Sequence, residues 1–401
     1  MGSGAGKFLQ FMRKADETMT VRRMLSAVLV IAELFLFTGC NQTQEKTITI
    51  AVIGNEDDLY PGYREGADTA AEDLRRIYAE SGYKMEYQFY SYDGSYEEGS
   101  AIIDMLAADE AVTAVVGGTD MSLNKTAAYV LNKAEKLFIV PFFLHDSVFD
   151  NNHYTMVFSM CNSGYEVGVT LRYAASGTTA KRWAVCSADR EFERTELRGF
   201  IDAERGGDID VVDCVNISEL QNNLDEVFRR WETLGVEGVV LFPEDKEGFS
   251  LLKEIKQRSP SMICAGDTAF DNTDIIMSDS ELMAAMTGFI VADEFILDLS
   301  TQENVDEYIA FIEDYTERTG KEMDSWYIQG YNTIRMIGDT AVSAGTTDPV
   351  EISAALHENG YDGIAQTVQF TADGKLANAD RTYNVFDSEG YVYPYIFVDE
   401  E

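Results

Sequence analysis

Histidine is scarce in this chain: His145, His153 and His357 are the only three among 401 residues. No HExxH or paired-histidine spacing occurs, so a zinc cluster or a histidine-based triad has little material. His145-Asp146 is a single neighbour pair and reads as solvated or structural. Cysteine is also sparse. Cys40, Cys161, Cys186, Cys214 and Cys264 are widely spaced and form no CxxC pair, which removes the usual redox and metal motifs. Cys186, Cys214 and Cys264 lie in or beside apolar, strand-like runs, where cysteine behaves as a small hydrophobe. Basic residues number 31 against 70 acidic ones, for a formal net charge of −39. Such a surface repels a phosphate backbone, so nucleic acid is excluded as a partner. The acidic pairs Asp57-Asp58 and Asp109-Glu110 lack the calcium-loop pattern and read as solvated faces. The opening MGSGAGKF has no glycine at the first position of a phosphate loop and carries Phe8 where a magnesium-binding hydroxyl belongs. No cofactor and no catalytic constellation is expected.

A long apolar run is missing too. Met24 to Phe37 is the most apolar stretch near the amino end and contains Glu33; it falls short of the roughly 20 residues of a membrane span. Arg22-Arg23 before it and Thr38-Gly39-Cys40 after it make a targeting segment. The stretch FTGC, Phe37 to Cys40, resembles the lipobox of bacterial lipoproteins, with Phe37 where leucine is usual. That resemblance implies acylation of Cys40 and a body held at the outer face of a membrane. An ordinary secretory signal with a chance cysteine is the alternative. Residues 1–39 are therefore set aside from the fold, and 40–46 read as a linker.

What the sequence does have is a repeated βα rhythm. Val112 to Phe143 holds a short apolar run, a Gly117-Gly118 break, a helical pattern from Leu123 to Lys136, and a second apolar run closed by Pro141. This is a βαβ unit. Strands at 47–53 and 85–92, with helices at 62–78 and 96–108, complete a first doubly wound parallel sheet. The rhythm restarts with strands at 183–187, 209–217, 236–242 and 262–265, and helices at 192–205, 220–234 and 247–257. Helices follow at 304–319, 324–344 and 350–359, the last capped by Asp348 with Pro349 in its first turn. Runs at 366–370, 383–387 and 392–398 alternate like antiparallel strands. The fold class is α/β, with two doubly wound lobes.

Taken together, the lobes, the lipobox, the VVGG corner and the carboxy-terminal YDGIAQTVQFTADGKL resemble the type I periplasmic binding proteins. The branch they most resemble is the substrate-binding proteins of branched-chain amino acid ABC importers. In the tail, Gly363, Phe370 and Gly374 match the family pattern, and Thr371 stands where aspartate is usual. The resemblance implies three crossings between lobes, near 160–164, 288–292 and 369–385. It places 47–160 with 290–368 in lobe 1 and 161–289 with 369–401 in lobe 2, closing as hinged rigid bodies.

The resemblance also implies a site. The serine that holds a ligand carboxylate aligns with Met121, with Ser122 one residue along. The strand end that follows aligns with Phe142 and Phe143. A covering aromatic aligns with Phe192, a further wall with Phe242 through Glu244, and the acid that receives an ammonium with Asp267. Tyr60, in the loop after the first strand, is a candidate lid. Asp120 beside the helix start opposes an anionic ligand group, unless it caps the helix instead. With Met121 and the two phenylalanines, it favours a ligand with an apolar or aromatic body and an amine or neutral polar head. The functional expectation is a solute-binding lipoprotein, not an enzyme, that delivers cargo to an ABC permease. The alternative is a sensory ligand-binding protein acting through a separate chain.

Overall fold

A computed structural model describes residues 46–55, 61–142, 144, 146–149, 153–203, 207, 209–244, 247–270, 273–292, 301–321, 323, 325–377, 382–389 and 392–396. Cys40, Tyr60, Phe143 and His145 lie outside the described residues.

The first sheet is built from β1 (Lys46–Gly54), β2 (Tyr83–Ser91), β3 (Ala114–Val116), β4 (Leu137–Val140) and β5 (Val157–Ser159), in the spatial order β2-β1-β3-β4-β5. The β1–β3, β3–β4 and β4–β5 pairs are parallel. Crossovers are made by α1 (Pro61–Ile77), α2 (Tyr96–Ala108) and α3 (Met121–Lys133). Helices cover both faces of a parallel sheet, which is why its strands read as unbroken apolar runs. Ile48, Ile50 and Val52 enter one core with Val116 and Ile139, whereas Ala51 and Ile53 enter the other with Val115 and Phe138. That is the period of two expected of a pleated strand.

The second sheet begins after α4 (Gly164–Ser176). Its first part runs through β6 (Arg182–Ser187), α5 (Glu191–Asp202), β7 (Asp210–Asn216), α6 (Ile217–Asn222), α7 (Leu224–Leu234) and β8 (Gly238–Phe242). It continues through α8 (Glu247–Arg258), β9 (Ile263–Gly266), α9 (Thr273–Ser278), α10 (Ser280–Met286) and β10 (Ile290–Ala292). The chain then returns to the first sheet through α11 (Gln302–Thr319), α12 (Ser325–Ala344), α13 (Pro349–Asn359), β11 (Tyr361–Gly363) and β12 (Gln366–Val368). It ends in β13 (Thr382–Phe386) and β14 (Val392–Ile396). The second sheet has the order β14-β13-β10-β9-β8-β6-β7. It is parallel from β7 to β10 and antiparallel where β13 joins β10 and β14 joins β13.

Several expectations need correction. Helix α4 was not anticipated, and neither were α9 and α10. The helix expected over 220–234 is two helices that meet at Asn223. The lobe boundary at 290 is too early, because β10 pairs with β9 and β13 inside the second sheet. The boundary at 369 is also too early. Phe370 belongs to a first-sheet core, and the Gly374 carbonyl accepts from the Ser159 amide at 2.9 Å. Backbone pairing keeps each of these segments with the sheet whose edge it extends.

Candidate functional site

In open parallel sheets, small ligands bind outside the carboxyl ends of the strands. At that end of β3, Asp120 adopts extended backbone (φ −76°, ψ 104°) and caps α3, its carboxylate accepting from the Leu123 amide at 2.9 Å. Gly118 runs close under β1, where a Cβ would stand 2.8 Å from the Ile53 carbonyl. Asn124, one turn into α3, is buried and donates to the Gly118 carbonyl at 2.8 Å. The corner is therefore pinned from below. Met121 is half-buried and Ser122 exposed. The Asp120 carboxylate is spent on the helix end, as a cap should be.

The corresponding edge of the second sheet is more unusual. Asp267 follows β9 and is 4% exposed, while Glu193 and Glu196, in the first turns of α5, are 7% and 0% exposed. Asp267 accepts from the Ala269 amide at 3.0 Å, and the Glu196 carboxyl group lies beside it. Burial, reinforced by the charge of Glu193, pushes Asp267 up to about 8, against the lowering effect of its hydrogen bonds. Burial likewise raises Glu193, against its own backbone hydrogen bond and the nearby charges of Arg190 and Arg194. Glu193 Oε2 is buried without a hydrogen-bond partner. Arg190 is held by Glu244, and Arg194 by Asp189 at 3.0 Å, both at the surface. Among the described residues no ion pair engages Glu193 or Asp267.

Helix packing brings these acids to the lobe junction. The α4 and α5 backbones touch: a Cβ on Gly168 would stand 2.0 Å from the Glu196 carbonyl, and one on Gly199 would stand 2.1 Å from the Tyr165 carbonyl. Ser163, which caps α4, is the first residue after the Met160–Asn162 crossing from the first sheet. Phe192, 9% exposed, lies against Gly164 at the start of α4. Glu193, Glu196 and Phe192 are thus held beside the strand ends where the lobes meet. Two lobes of parallel sheet, joined by crossings, each present a strand-end corner.

The chain is a periplasmic binding protein. The family model described as "Periplasmic binding protein" matches residues 48–389, nearly the whole body. No curated protein sequence matches it. Among solved structures, an ABC transporter substrate-binding protein from Desulfitobacterium hafniense in complex with Leu is 18% identical. Their folds agree with a TM-score of 0.75 over 87% of this chain and 100% of that one. The branched-chain amino acid transporter substrate-binding protein LivJ from Streptococcus pneumoniae, in complex with isoleucine, is 15% identical, with TM-score 0.71 over 88% and 99% of the two chains. A solute-binding protein of an ABC transporter from R. palustris in complex with benzoate is 13% identical, with TM-score 0.67 over 88% and 98%. At such identities the likeness establishes the type I two-lobed fold. The family binds solutes rather than transforming them. Among the described residues, no helix is long and apolar enough to cross a membrane.

Within this periplasmic binding protein, two expected wall residues turn out to be core. Phe142 is fully buried, with ring centroids 4.5 Å from Tyr63 and 5.2 Å from Trp326. Phe242 is fully buried in the same core as Val240, Trp183 and Phe200. Strand alternation sends Val240 and Phe242 to one face of the sheet and Val239 and Leu241 to the other. Glu244 is exposed and ion-paired with Arg190. Glu193 and Glu196 were not anticipated at all. Their spacing of three puts them on one side of α5, and acids on a helix face otherwise destined for burial were the available signal.

Proposed function

We propose that this protein captures a small amine-bearing solute between its lobes and hands it, unchanged, to an ABC permease. In this reading Cys40 carries the lipid that holds the body at the outer face of the membrane. Asp267 receives the ammonium group, and Phe192 covers the ligand from the second lobe. Met121 and Ser122 line the first-lobe corner, with Asp120 shaping it as the cap of α3, and Tyr60 is the candidate lid. The observation that carries the reading is Asp267, a buried acid at a strand end that forms no ion pair among the described residues. A buried carboxylate without a counter-charge is costly, and a cationic ligand group offsets that cost. Leucine and isoleucine, bound by two of the similar proteins, carry such a group and benzoate does not, so the acid favours the amine-bearing class.

A thermal-shift screen of amino acids, amines, aromatic acids and nucleosides tests this. A ligand at about 100 times its dissociation constant adds roughly 2.7 kcal/mol to stability. We expect hits among amines and amino acids, with the shift lost in Asp267→Asn. Aromatic acids or nucleosides as the sole hits, with Asp267→Asn unaffected, would sink the amine reading.

A further inference from the structure

The acid wall contains more buried carboxyl groups than one ammonium group can answer. Asp267 and Glu196 place two carboxyl groups side by side, 4% and 0% exposed. Glu193 adds a third carboxyl group, 7% exposed, with Oε2 lacking a hydrogen-bond partner. Arg190 and Arg194, the nearest cations, are engaged with Glu244 and Asp189 at the surface. A single ammonium seated on Asp267 would leave Glu193 Oε2 as it is now, buried and unanswered. Glu193 and Glu196 stand three residues apart on α5, about 5–6 Å between Cβ atoms, a separation that a short methylene chain between two nitrogens spans. Among the described residues, no group of acids, histidines and cysteines is arranged to hold a metal ion, which leaves an organic cation as the occupant.

We propose that this wall receives a ligand with two cationic nitrogens, a diamine or a basic amino acid, one nitrogen on the Asp267–Glu196 pair and the other on Glu193. The inference rests on the second lobe receiving an amine, and goes beyond it in assigning Glu193 and Glu196 and in requiring a second positive charge. Glu193 acts as the specificity residue. It separates dications from monocations, while Asp267 is needed for both.

The test is calorimetric titration of the full-length chain in detergent with 1,4-diaminobutane, lysine, n-butylamine and leucine, for the wild type, Glu193→Gln and Asp267→Asn. In the wild type each dication should bind more tightly than its monocation counterpart by at least about tenfold, the effect of one charge-assisted hydrogen bond. Glu193→Gln should abolish that preference by weakening diaminobutane and lysine at least about tenfold more than butylamine and leucine, and Asp267→Asn should weaken all amines. Removing a buried acid should also raise the melting temperature of empty Glu193→Gln; if that variant does not fold, Glu193→Ala serves in its place. A dication preference that survives in the Glu193 variant overturns the inference yet leaves the amine reading intact. Undiminished amine binding in Asp267→Asn, or no amine binding at all, overturns both. Calcium stabilising the protein through Glu193 in place of the amines overturns the organic occupant.

Discussion

A carboxyl group taken out of water holds its proton, and Asp267 has the raised value of about 8 that burial produces. Its folded value lies above the ordinary 3.8, so the native state binds the extra proton between those limits. The contribution of Asp267 to stability is therefore best at low pH, declines as pH rises from about 4, and stops changing above about 8. The melting temperature of the empty protein, compared with Asp267→Asn between pH 6 and 9, should show the wild type losing ground with rising pH. Ligand affinity should run the other way. A cation favours the ionised acid, so amine affinity should strengthen up to about pH 8 and then level off, with proton release on binding. The groups facing this acid are Glu193 and Glu196, with Arg190 and Arg194 farther out. An amine affinity independent of pH over that range would mean Asp267 does not touch the ligand. On the first lobe, Asp120 caps α3, its carboxylate accepting from the Leu123 amide.

At the scale of elements, the pair α4–α5 decides where the acids stand. A Cβ on Gly168 would meet the Glu196 carbonyl at 2.0 Å, and relieving that clash means moving α5 and the carboxylates with it. Gly168→Ala should destabilise the protein by about 1–3 kcal/mol, as overpacking does, and weaken ligand binding although residue 168 never touches the ligand. Urea unfolding and titration on the same sample check both halves; a loss of stability with affinity intact would mean the acids do not depend on this packing. Helix α4 was hidden in the sequence for a physical reason. It is buried on most sides, from Gly164 and Val167 through Leu171 to Ala175, and only a narrow half-buried stripe of Tyr165, Glu166, Arg172, Tyr173 and Ser176 marks its helical period. Its amino end was readable: Ser163 accepts from the Glu166 amide at 3.3 Å, the Ser-x-x-Glu spacing of a capping box. Ser163→Ala should cost about 1 kcal/mol in denaturant unfolding.

Across the whole molecule, lobes joined by a few crossing segments move as hinged bodies. Met160–Asn162, between β5 and α4, is such a segment. If a cationic solute bridges the two strand-end corners, the radius of gyration measured by small-angle scattering should fall on adding it and should not change in Asp267→Asn. If Cys40 is the acylated residue, Cys40→Ala should move the protein from the membrane fraction to the soluble one; retention on the membrane would mean another segment holds it.

By itself the sequence determined the class of fold. Buried parallel strands and crossover helices leave local periodicities, and the VVGG corner, the Asp348-Pro349 helix start and the run before Cys40 all follow from short-range chemistry. It also pointed to Asp267, through the family pattern. Tertiary structure alone decided which aromatics are core, because Phe142 and Phe242 have the composition of a ligand wall and only strand register sends them inward. It alone gathered Glu193 and Glu196 with Asp267. Some seventy residues separate α5 from the end of β9 in sequence, and no local pattern can show that close helix packing and parallel register bring their carboxyl groups together away from water.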